Sequence, residues 1–264
     1  MHGKAVILMV LCIDMGNTSI KACVFDTQAN EKVLSLALTT DLNKTSDEYC
    51  VMLKAIFEMK SFDTLSIDGI IIGSVVPQLT PVISKAVKDI FDIEAIIVGP
   101  GVKTSLNIKT DNPAEVGADI VANAVYAISE GLTPAVIVDF GTATTIVSID
   151  ADKKLTDVFI LPGLYSSYKA LTHEAAAIPS VPLYTPKSFS GKNTASSVNA
   201  GIVYSNAFAV DSFINRIAAK DGSTSLLATG SAANIVLPLC ENALTFREDL
   251  TCEGLYRIYL KNRT

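Results

Sequence analysis

The sequence has 264 residues, of which 49% are hydrophobic and 18% charged, and its 21 basic and 27 acidic side chains give a formal net charge of −6. This length allows one large domain or two of about 130 residues, each able to bury a core. No cluster of Lys and Arg stands out, which argues against a nucleic-acid partner. No apolar stretch approaches the roughly 20 residues that a membrane-spanning helix needs, so we expect no membrane role.

The five cysteines are scattered along the chain without C-x-x-C spacing. Such a pattern is typical of reduced, mostly buried thiols, so we expect a cytoplasmic protein. An apolar run at 5–13 lacks a small-residue cleavage site and leads directly into a Gly-Asn-Thr turn. This run predicts a buried first strand rather than a signal peptide.

Hydrophobic periodicity predicts a mixture of helices and strands along the rest of the chain. In chain order these are a helix at 46–60, a strand at 67–76, a helix at 82–91, a strand at 95–98, a helix at 115–129, a helix at 196–219, a strand at 225–229 and a helix at 252–261. The helix at 115–129 follows Asn112-Pro113, a suitable cap and first-turn pair. A Gly-Leu-Thr-Pro break at 131–134 separates two halves. We therefore predict two α/β domains, 1–130 and 131–264, with a cleft between them.

One short pattern occurs twice, about half a chain apart, which indicates a duplicated domain. Its two copies are Asp14-Met-Gly16-Asn17-Thr18 and Asp139-Phe-Gly141-Thr142-Ala-Thr144. Each follows an apolar strand and precedes a second β-rich run, as in a hairpin with polar groups at its tip.

Both turns carry the groups that a phosphate site needs. A Gly at a tight turn lets backbone N–H groups approach a phosphate oxygen, and Thr and Asn side chains add donors. The Asp before each turn would repel phosphate unless a cation, Mg²⁺ or a monovalent ion, lies between them. The pair of turns therefore indicates a nucleotide-binding protein.

A third candidate is Asp119, near the start of the helix predicted at 115–129 and one turn before Asn123 on the same face. A carboxylate in this position can act as a general base that takes a proton from a substrate hydroxyl. It can equally be an acidic residue that complements the helix dipole. Taken alone, the pattern favours the second interpretation.

Seven short motifs, in order along nearly the whole chain, resemble those of type III pantothenate kinases. They are Asp14–Thr18, Gly73–Pro77, Asn112–Asp119, Asp139–Thr145, Pro162–Leu164, Gly191–Thr194 and Leu250–Leu255. The family is similar to acetate kinase, sugar kinases, heat-shock chaperones and actin. The resemblance implies two ribonuclease H-like domains with mixed sheets flanked by helices and an active site in the inter-domain cleft. It also implies ATP-dependent phosphorylation of pantothenate to 4′-phosphopantothenate, the first step of coenzyme A biosynthesis.

The resemblance assigns the nucleotide and metal sites residue by residue. The ATP- and phosphate-binding residues would be Asp14, Gly16, Asn17, Thr18, Gly141, Thr142, Thr144 and Gly230. Asp14 would lie near Mg²⁺, and Asp139 would bind a monovalent cation, K⁺ or NH₄⁺.

The resemblance also implies a catalytic base, a substrate side and a homodimer. Asp119 matches the base, which reverses the interpretation drawn from the residues alone. The pantothenate side would comprise Thr110, Gly117, Ala118, Ile120 and Thr194, the last of these reaching pantothenate across the dimer interface. We expect the helix at 196–219 in or near that interface through an apolar face of Val198, Ile202, Phe208 and Phe213.

Two positions on the substrate side depart from the family pattern. The family usually has Arg after the catalytic Asp, where this chain has Ile120, and an aromatic residue two positions before the Asn, where it has Thr110. Three interpretations therefore stay open. The chain is a pantothenate kinase, a catalytically weak or inactive member that binds nucleotide as a regulatory or accessory protein, or a kinase for a related hydroxyl substrate.

Overall fold

A computed structural model describes residues 8–175, 178, 180–222 and 224–263 of the chain. Contacts between residues divide it into two compact units. The first unit takes its described residues from Met1–Ser105, Asn112–Ser129 and Asp249–Thr264, and the second from Leu106–Asp111 and Glu130–Glu248. Within these residues, no helix combines the length and the apolar character needed to cross a bilayer.

The helices and strands follow one another in a mixed order along the chain. They are β1 (Met9–Met15), β2 (Ser19–Asp26), β3 (Glu31–Thr39), α1 (Ser46–Met59), β4 (Ile67–Ser74), α2 (Thr80–Phe91), β5 (Ile96–Ile97), β6 (Asn107–Ile108), α3 (Ala118–Ser129), β7 (Ala135–Phe140), β8 (Ala143–Ile149), β9 (Lys154–Pro162), α4 (Leu164–Glu174), α5 (Thr194–Asp221), β10 (Ser225–Thr229), α6 (Ala233–Val236), β11 (Thr245–Phe246) and α7 (Leu250–Asn262).

The first unit is built on a five-stranded sheet in the order β3-β2-β1-β4-β5. β1, β2 and β3 are antiparallel neighbours, while β4 and β5 run parallel to β1. Side chains alternate across a strand, so Leu11, Ile13 and Met15 share one face of β1 and join the core that α1 and α2 also line. The predicted first strand is confirmed from Met9 onward, and residues 5–7 lie outside the described residues.

The second unit contains a six-stranded sheet in the order β11-β10-β7-β8-β9-β6. Its five strands β9-β8-β7-β10-β11 repeat the order and the directions of β3-β2-β1-β4-β5. α5 covers this sheet with a row of buried residues that includes Val203, Val210 and Ile214. The α/β class and the two ribonuclease H-like units with mixed sheets flanked by helices are therefore confirmed.

The last helix belongs to the first unit, which differs from the predicted division into 1–130 and 131–264. α7 packs against α3 and β1, and its Tyr256 ring stacks on Phe25 of β2 with centroids 4.6 Å apart. The six residues Leu106–Asp111 belong to the second unit, because β6 pairs with β9. Strand pairing and helix packing over long sequence separations decide this division.

The helix predicted at 115–129 begins three residues later than expected. Pro113–Glu115 forms a separate 3₁₀ turn, and the extended conformation of Val116, with φ −70° and ψ 121°, separates it from α3. Asp119 is therefore the second residue of α3.

The apolar face of α5, which was expected in or near a dimer interface, packs mostly against the core of the second unit. Ile202 is buried, and Val198 and Phe213 pack against the core of the same unit. Phe208 alone of the four is strongly exposed, at 48%.

Gly254 lets α7 approach α3 closely. A Cβ at this position would overlap with the carbonyl oxygen of Ala122. Ala122 belongs to a run of α3 that is buried from Ile120 to Ile128. The backbone of Ala122 cannot rotate away as a flexible side chain would. A larger residue at position 254 therefore has to push α7 away from α3.

We predict that Gly254→Ala lowers the free energy of unfolding by about 1–3 kcal/mol, the usual effect of overpacking. Gly201→Ala is the matched control, because a Cβ at this helical position of α5 meets nothing within 4 Å. It should raise the free energy of unfolding by about 0.5–1 kcal/mol through helix propensity. Urea denaturation measures both, and equal changes in the two variants would contradict the packing role of Gly254.

Candidate functional site

The first predicted phosphate turn follows β1 at the carboxyl end of that strand. The Gly16 N–H donates to the carbonyl oxygen of Ser19 at 3.0 Å. The Thr40 hydroxyl donates to the carbonyl oxygen of Gly16 at 2.6 Å, and the Thr40 N–H donates to that of Thr18 at 3.1 Å. These bonds fix the turn while the side chains of Asn17 and Thr18 stay exposed at its tip.

Asp14 precedes this turn on the side of the sheet that α7 covers. It shares that face with Cys12, whose carbonyl oxygen accepts a hydrogen bond from the Cys252 thiol of α7 at 3.9 Å. Asp14 is partly buried and lies opposite Lys21 in the β1–β2 pair. The basic residue Lys21 is therefore the residue of β2 that lies directly across from the Asp14 carboxylate.

An ion cluster around one buried carboxylate, which sequence reasoning did not identify, lies beside Asp14. Asp249, 7% exposed at the start of α7, pairs with Lys21 at 2.5 Å and with Lys32. Burial alone would lower the pKa of Lys21, but its hydrogen bond and charge contact with Asp249 outweigh burial and raise it. The only sequence signal is the position of Asp249 directly before the Leu250–Leu255 motif.

Asp119 lies at the edge of the sheet where β1 and β4 end. The Val75 N–H, just after β4, donates to the carbonyl oxygen of Met15 at 3.1 Å. The first residue of α3, Ala118, lies against Gly73, since a Cβ on Gly73 would come within 3.6 Å of the Ala118 Cβ. The first unit therefore brings together the turn at 14–18 and the start of α3.

The carboxylate of Asp119 is oriented by backbone groups. Its Oδ1 accepts the N–H of Ile120 at 2.8 Å. Burial raises the pKa of Asp119, while the N–H groups of Ile120 and of Asp119 itself act in the opposite direction. A Cβ on Gly117 would overlap with Oδ1 of Asp119, so the carboxylate occupies space that only a glycine leaves open.

The second predicted turn follows β7 in the same way. Asp139 lies opposite Thr229 in the β7–β10 pair. The following residue, Gly230, has a φ of 97°, which a glycine adopts without strain. A Cβ there would lie 2.5 Å from Oδ1 of Asp139 and from the backbone of Phe140, so the turn after β10 packs directly on this carboxylate.

The Pro-Gly-Leu motif at 162–164 supports the second turn from the other side. A Cβ on Gly163 would overlap with the carbonyl oxygens of Gly141 and Thr142. Ser166, in the first turn of α4, donates its hydroxyl to the carbonyl oxygen of Thr142 at 2.7 Å. The start of α4 thus holds the backbone of the turn, and the Thr142 side chain is exposed.

Thr144 was expected to bind phosphate, but the structure buries it. The residue is 2% exposed, and its hydroxyl donates to Oδ1 of Asn206 on α5 at 3.4 Å. Side chains alternate along β8, and Thr144 points to the side that α5 covers. The Thr144 hydroxyl thus lies on the side of β8 that α5 covers, and its role in phosphate binding stays a prediction.

The predicted substrate residues are divided between the two units. Ala118 and Ile120 are buried in the first unit, each 7% exposed. Thr110 and Thr194 belong to the second unit. The Thr110 hydroxyl oxygen is buried and has no hydrogen-bond partner among the described residues, whereas Thr194 is exposed at the first position of α5.

The two aspartates fit a hard cation in different ways. Within the described residues, no group of three His, Cys, Asp or Glu side chains could hold a metal ion by itself. Mg²⁺ is commonly bound by one or two carboxylates together with substrate phosphates, so Asp14 alone fits it. Asp139 offers a carboxylate beside Gly230 and Gly141, where a Cβ would lie 2.5 Å and 3.3 Å from its Oδ1. The carboxylate oxygens of Asp139 are the kind of donor that hard cations prefer.

Known proteins resemble this chain over most of its length. The family model for type III pantothenate kinase matches residues 10–216. The chain belongs to the type III pantothenate kinase family. A type III pantothenate kinase of an Exiguobacterium species is 37% identical over 255 residues, covering 97% of this chain and 100% of the relative. That of Halalkalibacterium halodurans is 39% identical over 255 residues, covering 96% and 100%.

Solved structures extend the likeness to more distant proteins. A candidate 2-dehydro-3-deoxygalactonokinase from Sinorhizobium meliloti superposes with a TM-score of 0.57 at 11% sequence identity, covering 96% of each chain. At this identity the likeness concerns the fold alone.

We predict that Gly117→Ala lowers turnover at least tenfold while leaving stability nearly unchanged. The added Cβ displaces a flexible carboxylate rather than backbone, and small displacements of a catalytic group cause large losses of rate. Gly99→Ala is the control, since a Cβ there meets nothing within 4 Å. Steady-state kinetics and thermal melts of both variants test the prediction. A Gly117→Ala enzyme with full turnover would show that the position of the Asp119 carboxylate is not critical.

Proposed function

We propose that this chain transfers the γ-phosphoryl group of ATP to the primary hydroxyl of pantothenate and forms 4′-phosphopantothenate, the first step of coenzyme A biosynthesis. Membership in the type III pantothenate kinase family supports the reaction. The observation that carries the mechanism is the partly buried, backbone-oriented carboxylate of Asp119 at the edge where β1 ends. Free thiols at all five cysteines agree with a reaction in the cytoplasm.

Asp119 acts in this proposal as the general base. It accepts the hydroxyl proton of pantothenate as the hydroxyl oxygen bonds to the γ-phosphorus, while the bond from that phosphorus to the β,γ-bridging oxygen breaks and ADP leaves. Partial burial of the carboxylate raises its pKa, which makes it a stronger base than an exposed Asp. The N–H of Ile120 holds one carboxylate oxygen at 2.8 Å.

The two turns bind the phosphates of ATP. In the first unit this role falls to Asp14, Gly16, Asn17 and Thr18, and in the second to Gly141, Thr142 and Gly230, with Thr144 supporting the second turn from below. Asp14 would hold Mg²⁺ and Asp139 would hold K⁺ or NH₄⁺. These cations, when bound, would neutralise charge on the phosphates that the carboxylates would otherwise repel.

The two other interpretations are not favoured. A catalytically weak member was suggested by the replacement of an expected Arg by Ile120. The contact that orients Asp119 nevertheless comes from the backbone of Ile120 and not from its side chain. A different hydroxyl substrate was suggested by Thr110, but relatives that are 37–39% identical over nearly the whole chain are pantothenate kinases.

A homodimer is the expected assembly. Three aromatic rings, Phe189, Tyr204 and Phe208, cluster on the outer side of the second unit with centroids 5.1 to 6.2 Å apart. Phe189 is 70% and Phe208 48% exposed. Clustered exposed aromatic residues are typical of protein interfaces. They lie close to Thr194 in sequence, so this surface fits a cross-subunit role for Thr194 better than the buried side of α5 does.

We predict that Asp119→Asn lowers turnover about 10²–10⁴-fold, the usual contribution of a general base, while the affinity for ATP changes only a few-fold. Asp47→Asn is the control, because Asp47 is likewise the second residue of a helix but is exposed. Phosphopantothenate is measured by mass spectrometry after incubation with ATP, Mg²⁺, K⁺ and pantothenate. If Asp119→Asn behaves like Asp47→Asn, Asp119 only complements the helix dipole.

In the unmodified enzyme, activity should fall in acid as Asp119 is protonated below its raised pKa.

We predict that Asp139→Asn abolishes the advantage of K⁺ over Na⁺ or a large organic cation in ATP binding. One carboxylate charge is lost beside the phosphates, so no monovalent cation is held there. Calorimetric titration of ATP in each cation background measures the effect. The exposed Asp152→Asn on the β8–β9 turn is the control and should keep the unmodified cation dependence. Equal ATP affinity of the unmodified protein in all cations would refute the role of Asp139.

A further inference from the structure

Asn123 is a buried amide with an unused hydrogen-bond acceptor. It lies in α3, where every residue from Ile120 to Ile128 is buried, and it is 3% exposed. Its Oδ1 has no hydrogen-bond partner among the described residues. A buried acceptor without a donor destabilises a protein, and replacing such a group by an apolar one of similar shape is usually neutral or stabilising.

The position of Asn123 relative to Asp119 suggests which donor it meets. The two residues are four apart in one helix and therefore lie on the same face, one turn apart. Side chains of a helix lean toward its N-terminus, so the amide of Asn123 leans toward the turn that carries Asp119. As a carboxylate, Asp119 offers no donor, but its protonated form carries one O–H group.

We propose that Asn123 is a positioning residue that accepts a hydrogen bond from the protonated form of Asp119 during phosphoryl transfer. This rests on the proposed function, in which Asp119 is the base. The hydroxyl proton of pantothenate moves to the Asp119 carboxylate as the new O–P bond forms and ADP leaves. The resulting O–H donates to Oδ1 of Asn123 until the proton is released to solvent. The acceptor thus has no partner among the described residues of the resting protein and gains one once the proton has arrived.

The first test compares two buried asparagines. Asn123→Leu keeps the branching of the side chain and removes the acceptor, and Asn123→Ala removes it without adding volume. Both should lower kcat about 10- to 100-fold, since the bond forms only as the proton is transferred. Affinities for ATP and pantothenate should stay within about twofold. The urea midpoint of Asn123→Leu should stay equal or rise.

Asn199 on α5 is the matched control, since it is 1% exposed and both of its amide atoms bond to the backbone of Tyr184 at 3.0 and 2.9 Å. Asn199→Leu should lower the urea midpoint. If both Asn123 variants lose stability as Asn199→Leu does, or fail to fold, the amide is structural and the proposal is wrong.

The second test is a double-mutant cycle with Asp119. In an Asp119→Asn background no carboxylic acid forms, so Asn123→Leu should change the residual turnover by less than about twofold. An equal loss in both backgrounds, or full turnover in the single variant, would overturn the proposal. An inactive unmodified protein would instead refute the proposed function. Unmodified protein that is active, with Asp119→Asn impaired and both Asn123 variants unimpaired, would refute only the role of Asn123.

Discussion

The structure of the first unit depends on a buried carboxylate that joins segments more than 200 residues apart in sequence. Asp249 pairs with Lys21 of β2 and Lys32 of β3 and so ties the start of α7 to the antiparallel strands. Burial alone would raise the pKa of Asp249, but the two lysines outweigh burial and lower it. A carboxylate with a lowered pKa stabilises the folded state above its unfolded pKa and loses that contribution as the pH falls through the folded value. α7 in turn packs on α3, which carries Asp119.

Both units place an aspartate directly before a glycine turn, and in both this carboxylate would repel a bound phosphate. Each central strand has an aspartate as its second-last residue, followed by a glycine turn, and this aspartate lies opposite Gly73 or Thr229 of the neighbouring parallel strand. A carboxylate there repels a polyanion unless a cation lies between them. This repulsion is the physical reason for the cation dependence that we propose for nucleotide binding.

Much of the fold could be predicted because local patterns decide it, while the remainder depends on long-range packing. The paired Asp-x-Gly motifs predicted both hairpins, and hydrophobic periodicity predicted α1 and α5 to within about two residues. Sequence reasoning could not assign α7 to the first unit, since that depends on Asp249 meeting two distant lysines. Nor does the Asp-x-Gly motif tell which of its hydroxyl groups points toward α5, as that of Thr144 does.

The departure at position 120 has a physical explanation in the helix geometry. The Asp119 carboxylate accepts a hydrogen bond from the backbone N–H of residue 120, and every residue except proline has such an N–H group. The Ile120 side chain is instead buried, at 7% exposure, in a helix whose following residues are apolar or small up to Asn123. A guanidinium in that place would need its own buried partner. The carboxylate of the proposed base can therefore keep its orientation while the side chain beside it changes from charged to apolar, so the family motif and the orientation of Asp119 need not vary together.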